Sequence, residues 1–335
     1  MVGTKKIALG TLLALGALAC DGPAPGESDG GSSGDSGFAV ALLTPGSIRD
    51  AGWNQSAFEG LKQIERDLGA EVAHQQTATP QDFESGFRDF AARGYDLLFG
   101  HGFEFQDAAA RVAAEFPQVV FITTSGSTVR ENLAPIVFEL EQATYVLGYT
   151  GALLSRSGRL AAVGGVEVPS VSSTFLAFEK GARDARPDVE VSIAYIGSWT
   201  DVAAANEATL AQISQGADVL IHNANEAARG FFQAVRESPG VVAFGANRDQ
   251  NEIVPGKVLA SATLDVPRAM LLVAQEVSEG SFSGRSLRFG LADGVIAVVW
   301  NQKLWSEVDP SIRSRSDETL NAIRSQALRV PRLDF

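Results

Sequence analysis

The chain has 335 residues, is 45% hydrophobic, and sets 27 Lys and Arg against 40 Asp and Glu, for a net charge of -13. Such a surface repels nucleic acid and anionic lipid, which points to a small molecule or another protein as partner. The single cysteine, Cys20, excludes an intrachain disulfide, so the fold must be stable by its core alone.

From the N-terminus, Lys5 and Lys6 precede an apolar run, Ile7 to Leu18. That run is shorter than the roughly 20 residues a membrane-spanning helix needs, so residues 1–19 read as a secretory signal peptide. Ala17-Leu18-Ala19-Cys20 resembles the bacterial lipobox, with Ala17 where Leu is usual. The resemblance implies cleavage before Cys20 and a lipid on that residue. Apart from Cys20 and Ala24, residues 20–37 are Gly, Ser, Pro and acidic side chains, a composition that cannot bury enough surface to offset ordering. They are expected to form a flexible tether reaching roughly 20 to 25 Å. Residues 38–335 would then be a globular body, expected to be monomeric, held near the outer side of a membrane and free to turn.

That body is longer than one core usually serves, so two domains are expected. Apolar runs of strand length recur at Phe38 to Leu43, Tyr95 to Phe99, Val119 to Thr123, Leu160 to Val163, Val189 to Ile196, Asp218 to Ile221 and Val241 to Phe244. Segments with helical spacing lie between them, such as Asn54 to Leu68, Phe83 to Arg93, Ala143 to Leu154 and Ala227 to Glu237. Strand alternating with helix predicts an α/β fold of parallel sheets with right-handed crossovers.

Ligands of open parallel sheets bind outside the carboxyl ends of the strands. The segments there include Thr44 to Trp53, Gly100 to Asp107, Gly197 to Asp201, His222 to Glu226 and Gly245 to Gln250. Trp53 and Trp199 each stand among small and polar residues where a strand gives way to a helix, one in each half. Aromatic rings so placed suggest two plates that close on a flat ligand.

Catalysis finds no support. No S-x-x-K, H-E-x-x-H or P-loop sequence occurs, and Gly100-His101-Gly102 lacks the third glycine of a dinucleotide fingerprint. His74, His101 and His222 are scattered, whereas a metal site needs clustered ligands. No catalytic residue, metal or cofactor is expected, and His101 and His222 read as polar residues of the cleft wall or loops.

The ordered series Asp50-Ala-Gly-Trp-Asn-Gln55, Gly100-His-Gly-Phe103, Gly148-Tyr-Thr-Gly151, Val163-Gly-Gly165, Phe178-Glu-Lys-Gly181, Gly197-Ser-Trp-Thr-Asp201 and Asp249-Gln250 resembles the basic membrane protein family of substrate-binding lipoproteins. Within that family it is similar to purine nucleoside receptors of ABC transporters. The resemblance implies a type I periplasmic-binding-protein fold: two doubly wound parallel-sheet lobes joined by a three-strand hinge, with the ligand between them. The expected division puts residues 38–139 and 250–283 in lobe 1, and 140–249 and 284–335 in lobe 2.

Carried over position by position, the resemblance implies that Trp53 and Trp199 sandwich a heterocycle. Asn54 would hydrogen-bond its edge or cap the helix that starts there, and Asp107 would face the base or serve as a helix-start carboxylate. On the sugar side the family usually has an aspartate where Asn247 stands, a lysine where Leu264 stands and an aspartate where Thr44 stands. Asn225, Glu226 and Arg248 are candidates to compensate, which would mean a changed ligand. The expected function is a lipid-anchored, extracytoplasmic receptor that delivers a purine nucleoside or similar flat heterocycle to an ABC permease. The alternatives are a free nucleobase or flavin-like ligand, and a sensory receptor for a membrane kinase.

Overall fold

Residues 37–50 and 52–333 are described by the computed structural model of the protein. The expected signal peptide, the lipidation candidate Cys20 and the tether up to Ser36 lie outside the described residues.

Two six-stranded sheets carry the chain. The first contains β1 (Ala39–Thr44), β2 (Glu71–Gln76), β3 (Leu97–Gly100), β4 (Val120–Thr124), β5 (Leu133–Phe138) and β11 (Leu287–Phe289). Its order is β11-β5-β4-β3-β1-β2, parallel throughout. The second contains β6 (Arg159–Gly164), β7 (Glu190–Tyr195), β8 (Val219–Asn223), β9 (Val242–Asn247), β10 (Val258–Leu264) and β12 (Ile296–Trp300). Its order is β12-β10-β9-β8-β6-β7, with only β12 antiparallel to its neighbour. Strands such as β1 and β5 are buried along their whole length, as expected where helices cover both faces.

The helices are α1 (Trp53–Leu68), α2 (Pro80–Ala92), α3 (Gln106–Ala113), α4 (Glu141–Leu154), α5 (Pro169–Ala185), α6 (Val202–Ser214), α7 (Ala228–Glu237), α8 (Val266–Ser278), α9 (Gln302–Glu307) and α10 (Pro310–Arg324). Several start where the local sequence dictates. Thr79 and Asp82 form a reciprocal capping box on α2, with Pro80 inside the first turn. Asp201 caps α6 through Ala204 N at 2.9 Å, and Asp265 caps α8 through Arg268 N at 2.9 Å.

Outside the first sheet, Phe83, Phe87, Phe105 and Phe121 pack together; outside the second, Phe231 and Phe232 do the same. The inner faces merge into one larger core that includes Val40 and Ile136 of the first sheet and Ile221 and Ala260 of the second. The chain passes between the sheets three times, after β5, after β10 and after β11. These passages are bonded together: Glu139 N donates to Phe289 O at 2.9 Å, and Asp265 N to Val295 O at 2.7 Å. Arg288 and Arg332 both reach the Glu139 carboxylate, at 3.4 and 3.2 Å.

The expected division of the lobes needs correction at two strands. β10 hydrogen-bonds between β9 and β12 in the second sheet, and β11 pairs with β5 in the first. Residues 258–264 therefore sit with lobe 2 and residues 287–289 with lobe 1, the reverse of the expectation for each. Pairing across a sheet is non-local, and neither strand carries a local signal of which sheet it joins.

α4 and α5 cross at two glycines that belong to the family-like series. A Cβ on Gly148 would lie 1.9 Å from Phe178 O, and one on Gly181 would lie 2.1 Å from Tyr145 O. Backbone on both sides leaves nothing flexible to give way. Gly148→Ala should therefore destabilise the protein by about 3 kcal/mol or more, read from the denaturant midpoint. Unchanged stability would show that the two helices can separate at little cost.

Candidate ligand-binding site

The carboxyl ends of the two sheets face a shared cavity of about 510 Å³. From the first lobe it is lined by the loop after β1, by Gly102 to Glu104 after β3, by Ser125 and by Phe138. From the second it is lined by residues after β6, β7 and β8 and by Asn247 and Leu264 at the ends of β9 and β10. Apolar walls with a few polar groups fit an organic molecule of drug-like size. No Lys, Arg or His is among the lining residues, whereas Asp50, Glu104 and Glu226 are.

Trp53 and Trp199 both line this cavity. Each is backed by a specific neighbour. The Trp53 ring stacks on the His101 ring, with centroids 4.0 Å apart and planes at 23°, and Phe138 meets it edge-on at 6.0 Å. His101 Nε2 also donates to Trp53 O at 3.0 Å, which puts the ring proton on Nε2 and leaves Nδ1 to accept from Thr124 Oγ1 at 3.2 Å. His101 is fully buried, and burial lowers its pKa to about 3 despite the Trp53 carbonyl and the Asp50 charge. It is thus a neutral support beneath the plate. Trp199 lies against Gly165, where a Cβ would come 2.4 Å from the indole, and its carbonyl accepts from Ala227 N at 2.9 Å.

The Asp50 carboxylate organises the start of α1. It accepts from Gly52 N, Asn54 N and Asn54 Nδ2, each at 2.9 Å, and from Gln55 N at 3.0 Å. Asp50 is therefore the capping side chain, and Asn54 is not. A carboxylate needs a donor, so Asn54 turns its Nδ2 to Asp50 and its Oδ1 away. That Oδ1 is buried, belongs to a cavity-lining residue and has no hydrogen-bond partner.

The remaining candidates fall on both sides of the cavity wall. Asn225 and Asn247 line it, with φ of 53° and 70°. Asn247 Nδ2 donates to Asn223 Oδ1 at 3.1 Å, leaving its own Oδ1 as an acceptor. Of the four non-glycine residues with positive φ among those described, three (Ser125, Asn225 and Asn247) line the cavity. Such conformations persist only where surrounding structure holds them, and they concentrate at binding sites. Glu226 lines the cavity and pairs with Arg229 at 3.4 Å, while Arg248 lies outside it and reaches Glu59 of α1 at 3.5 Å.

Two candidates are not among the lining residues. Thr44 is fully buried, its hydroxyl donating to Gly46 O at 2.8 Å and lying 2.9 Å from His74 Nε2, so it is used up inside the fold. Asp107 is exposed in the first turn of α3. The acidic residue of that segment that lines the cavity is Glu104, which motif comparison did not single out although it lies within the strand-end segment Gly100 to Asp107. It is exposed at the cavity wall, and partial loss of water there raises its pKa. His222 is buried against Phe231 and Phe232, with Nε2 donating to Gln250 Oε1 at 2.8 Å.

Two lobes built on largely parallel sheets and joined by three crossings around a ligand-sized cavity define a periplasmic-binding-protein-like fold. The family model described as ABC transporter substrate-binding protein PnrA-like matches residues 38–328, and the chain belongs to that family. It is 28% identical over 299 residues to basic membrane protein A of Borreliella burgdorferi, covering 87% of this chain and 88% of that protein. Among solved structures, an ABC transporter solute-binding protein from Aeropyrum pernix shares the fold with a TM-score of 0.79 at 19% identity, over 89% of this chain and 94% of that one. Another from Conexibacter woesei gives 0.69 at 26% identity, over 88% and 99%. The chain is thus a member of a family of ABC transporter substrate-binding proteins, whose family role is binding. No helix among the described residues is long and apolar enough to cross a membrane.

A neutral His101 has a measurable signature. The unfolded state takes up a proton below about pH 6.5 while the folded ring stays neutral to about pH 3, so its contribution to stability is present above pH 6.5 and lost as pH falls. Glu141, pushed up to about 7 by burial, works in the opposite direction over part of this range, so the comparison must be with a variant. The unfolding free energy of wild type relative to His101→Gln should fall between pH 6.5 and pH 5 by up to about 1.4 kcal/mol per pH unit. A pH-independent difference would mean that the ring takes up its proton in the fold at the same pH as in the unfolded chain.

Proposed function

We propose that the protein captures a purine nucleoside, or a similarly flat uncharged heterocycle, between Trp53 and Trp199 and presents the closed form to an ABC permease. The observation that carries this reading is a cavity of about 510 Å³ walled by two supported indoles and lacking any basic side chain. Indole faces favour a flat π system, each stack contributing on the order of 1 kcal/mol beyond burial. Three acids line the cavity, only Glu226 has a cation paired to it, and no basic residue is among the described lining residues, which disfavours phosphate, so a nucleoside fits where a nucleotide does not. Asn223, Asn225 and Asn247 supply neutral hydrogen bonds for a hydroxylated substituent, in place of the charged partners usual on the sugar side.

Closure would proceed about the three crossings, with Glu59 and Arg248 meeting at the rim. That exposed pair contributes at most about 1 kcal/mol, so the ligand supplies most of the bias toward the closed form. A lipid on Cys20 would keep the receptor at the membrane where the permease resides.

Isothermal titration with guanosine, adenosine and inosine tests the reading directly. Trp53→Ala and Trp199→Ala should each weaken binding roughly tenfold or more with little change in melting temperature. The corresponding 5′-monophosphates should bind far more weakly than the nucleosides. Equal affinity in wild type and both tryptophan variants would remove the stacking assignment. Mass spectrometry of the native protein should also find a heterocycle that co-purifies.

A further inference from the structure

The cavity floor and the crossings between the lobes share residues. Phe138 and Leu140, on the first crossing, line the cavity, and Phe138 meets the Trp53 ring edge-on. Glu139 stands between them with its carboxylate engaged elsewhere: Gln142 Nε2 donates to it at 2.6 Å, and Arg288 and Arg332 reach it at 3.4 and 3.2 Å. In the other lobe Val171 and Thr174 of α5 line the cavity. Ser173, next to Thr174, is fully buried, and its hydroxyl accepts from Leu333 N at 2.7 Å.

One segment, residues 328–333, makes contacts on both sides. It leaves the end of α10 with Leu328 N bonded to Ala322 O at 3.0 Å, and Leu328 and Val330 pack against the core. Arg332 then lies 3.2 Å from Glu139 and 3.8 Å from Glu141, which is buried where α4 begins. Burial pushes both carboxyls up, Glu141 to about 7, and the Arg332 charge opposes the rise in each. A guanidinium within reach of two neighbouring, desolvated acids is their counter-charge. Removing it leaves the acids unbalanced, so the segment is held by more than its apolar contacts.

We propose that residues 328–333 act as a brace behind the ligand cavity, with Arg332 as the positioning residue: through Glu139 it fixes the crossing that carries Phe138 and Leu140, while Leu333 fixes α5 at Ser173. Neither the brace nor its two anchors are among the cavity-lining residues, so they act on a ligand through the floor and not by contact. A floor held from behind loses little freedom when a ligand arrives, and a released floor loses more. The brace serves whichever solute the cavity takes.

Hydrogen exchange of the ligand-free full chain, read by mass spectrometry, tests the brace in wild type, Arg332→Gln, Arg332→Lys, Glu139→Gln and Ser173→Ala. Arg332→Gln should speed exchange roughly fivefold or more in peptides covering 138–144 and 169–174, and leave β1 and β8 at wild-type rates. Arg332→Lys, which keeps the charge, should recover most of the protection. Glu139→Gln should reproduce the loss in 138–144, and Ser173→Ala the loss in 169–174. Wild-type exchange of both segments in Arg332→Gln, or an equal acceleration in β1 and β8, would overturn the proposal. Should Arg332→Gln not fold, wild-type exchange in both Glu139→Gln and Ser173→Ala would do the same. In titration with guanosine, Arg332→Gln should bind roughly threefold to tenfold more weakly than wild type and Arg332→Lys nearly as well, whereas equal affinity in Arg332→Gln would refute the positioning role. A wild type that binds no nucleoside removes the proposed ligand, and the exchange rates still decide the brace.

Discussion

Three chain crossings between two parallel sheets are the constraint from which the site follows. They bring the carboxyl ends of both sheets to one cavity, so loops distant in sequence become opposite walls. The crossings are held by backbone hydrogen bonds such as Asp265 N to Val295 O and by the arginines that clasp Glu139. A single connection would let the lobes turn freely. Three restrict relative motion to opening and closing, which a receptor that must trap and release a solute requires.

Within that frame the walls are prepared in advance of any ligand. Trp53 is fixed by a neutral histidine that both stacks on its ring and bonds its carbonyl, and Trp199 by a glycine that admits its ring against the backbone. Asp50 satisfies the helix start and, in the same act, fixes Asn54 through its Nδ2. Rigid groups bound by rigid supports lose little freedom when a ligand arrives, so more of the contact energy appears as affinity. The positive φ values at Ser125, Asn225 and Asn247 belong to the same economy: local strain tolerated where side chains must face the cavity.

Much of this was legible beforehand, and the misses have a common cause. The alternation of strand and helix, the two tryptophans at strand ends and the family-like series lead to the observed fold and to most of the cavity-lining residues. Thr44 and Asp107 were misplaced because motif alignment gives a position along the chain and not the direction of a side chain. Thr44 is drawn inward by His74 on the neighbouring strand, and Asp107 has passed onto the outer face of α3 by the time the helix has begun. Glu104, three residues earlier, stands in the loop that still faces the cavity. Asn54 was open between capping and recognition, and the four bonds accepted by Asp50 show that Asn54 is not the cap.

The sequence by itself determined the fold class, the two-lobed organisation, the absence of disulfides and the aromatic character of the site, because periodicity, composition and short motifs are local properties of the chain. Tertiary structure decided which sheet takes β10 and β11, because hydrogen-bond pairing between remote strands leaves no local trace. It also decided which polar groups are already satisfied within the protein. That accounting depends on neighbours brought together by folding, as in the Asp50 carboxylate bonded to the start of α1 and the Thr44 hydroxyl held between Gly46 and His74.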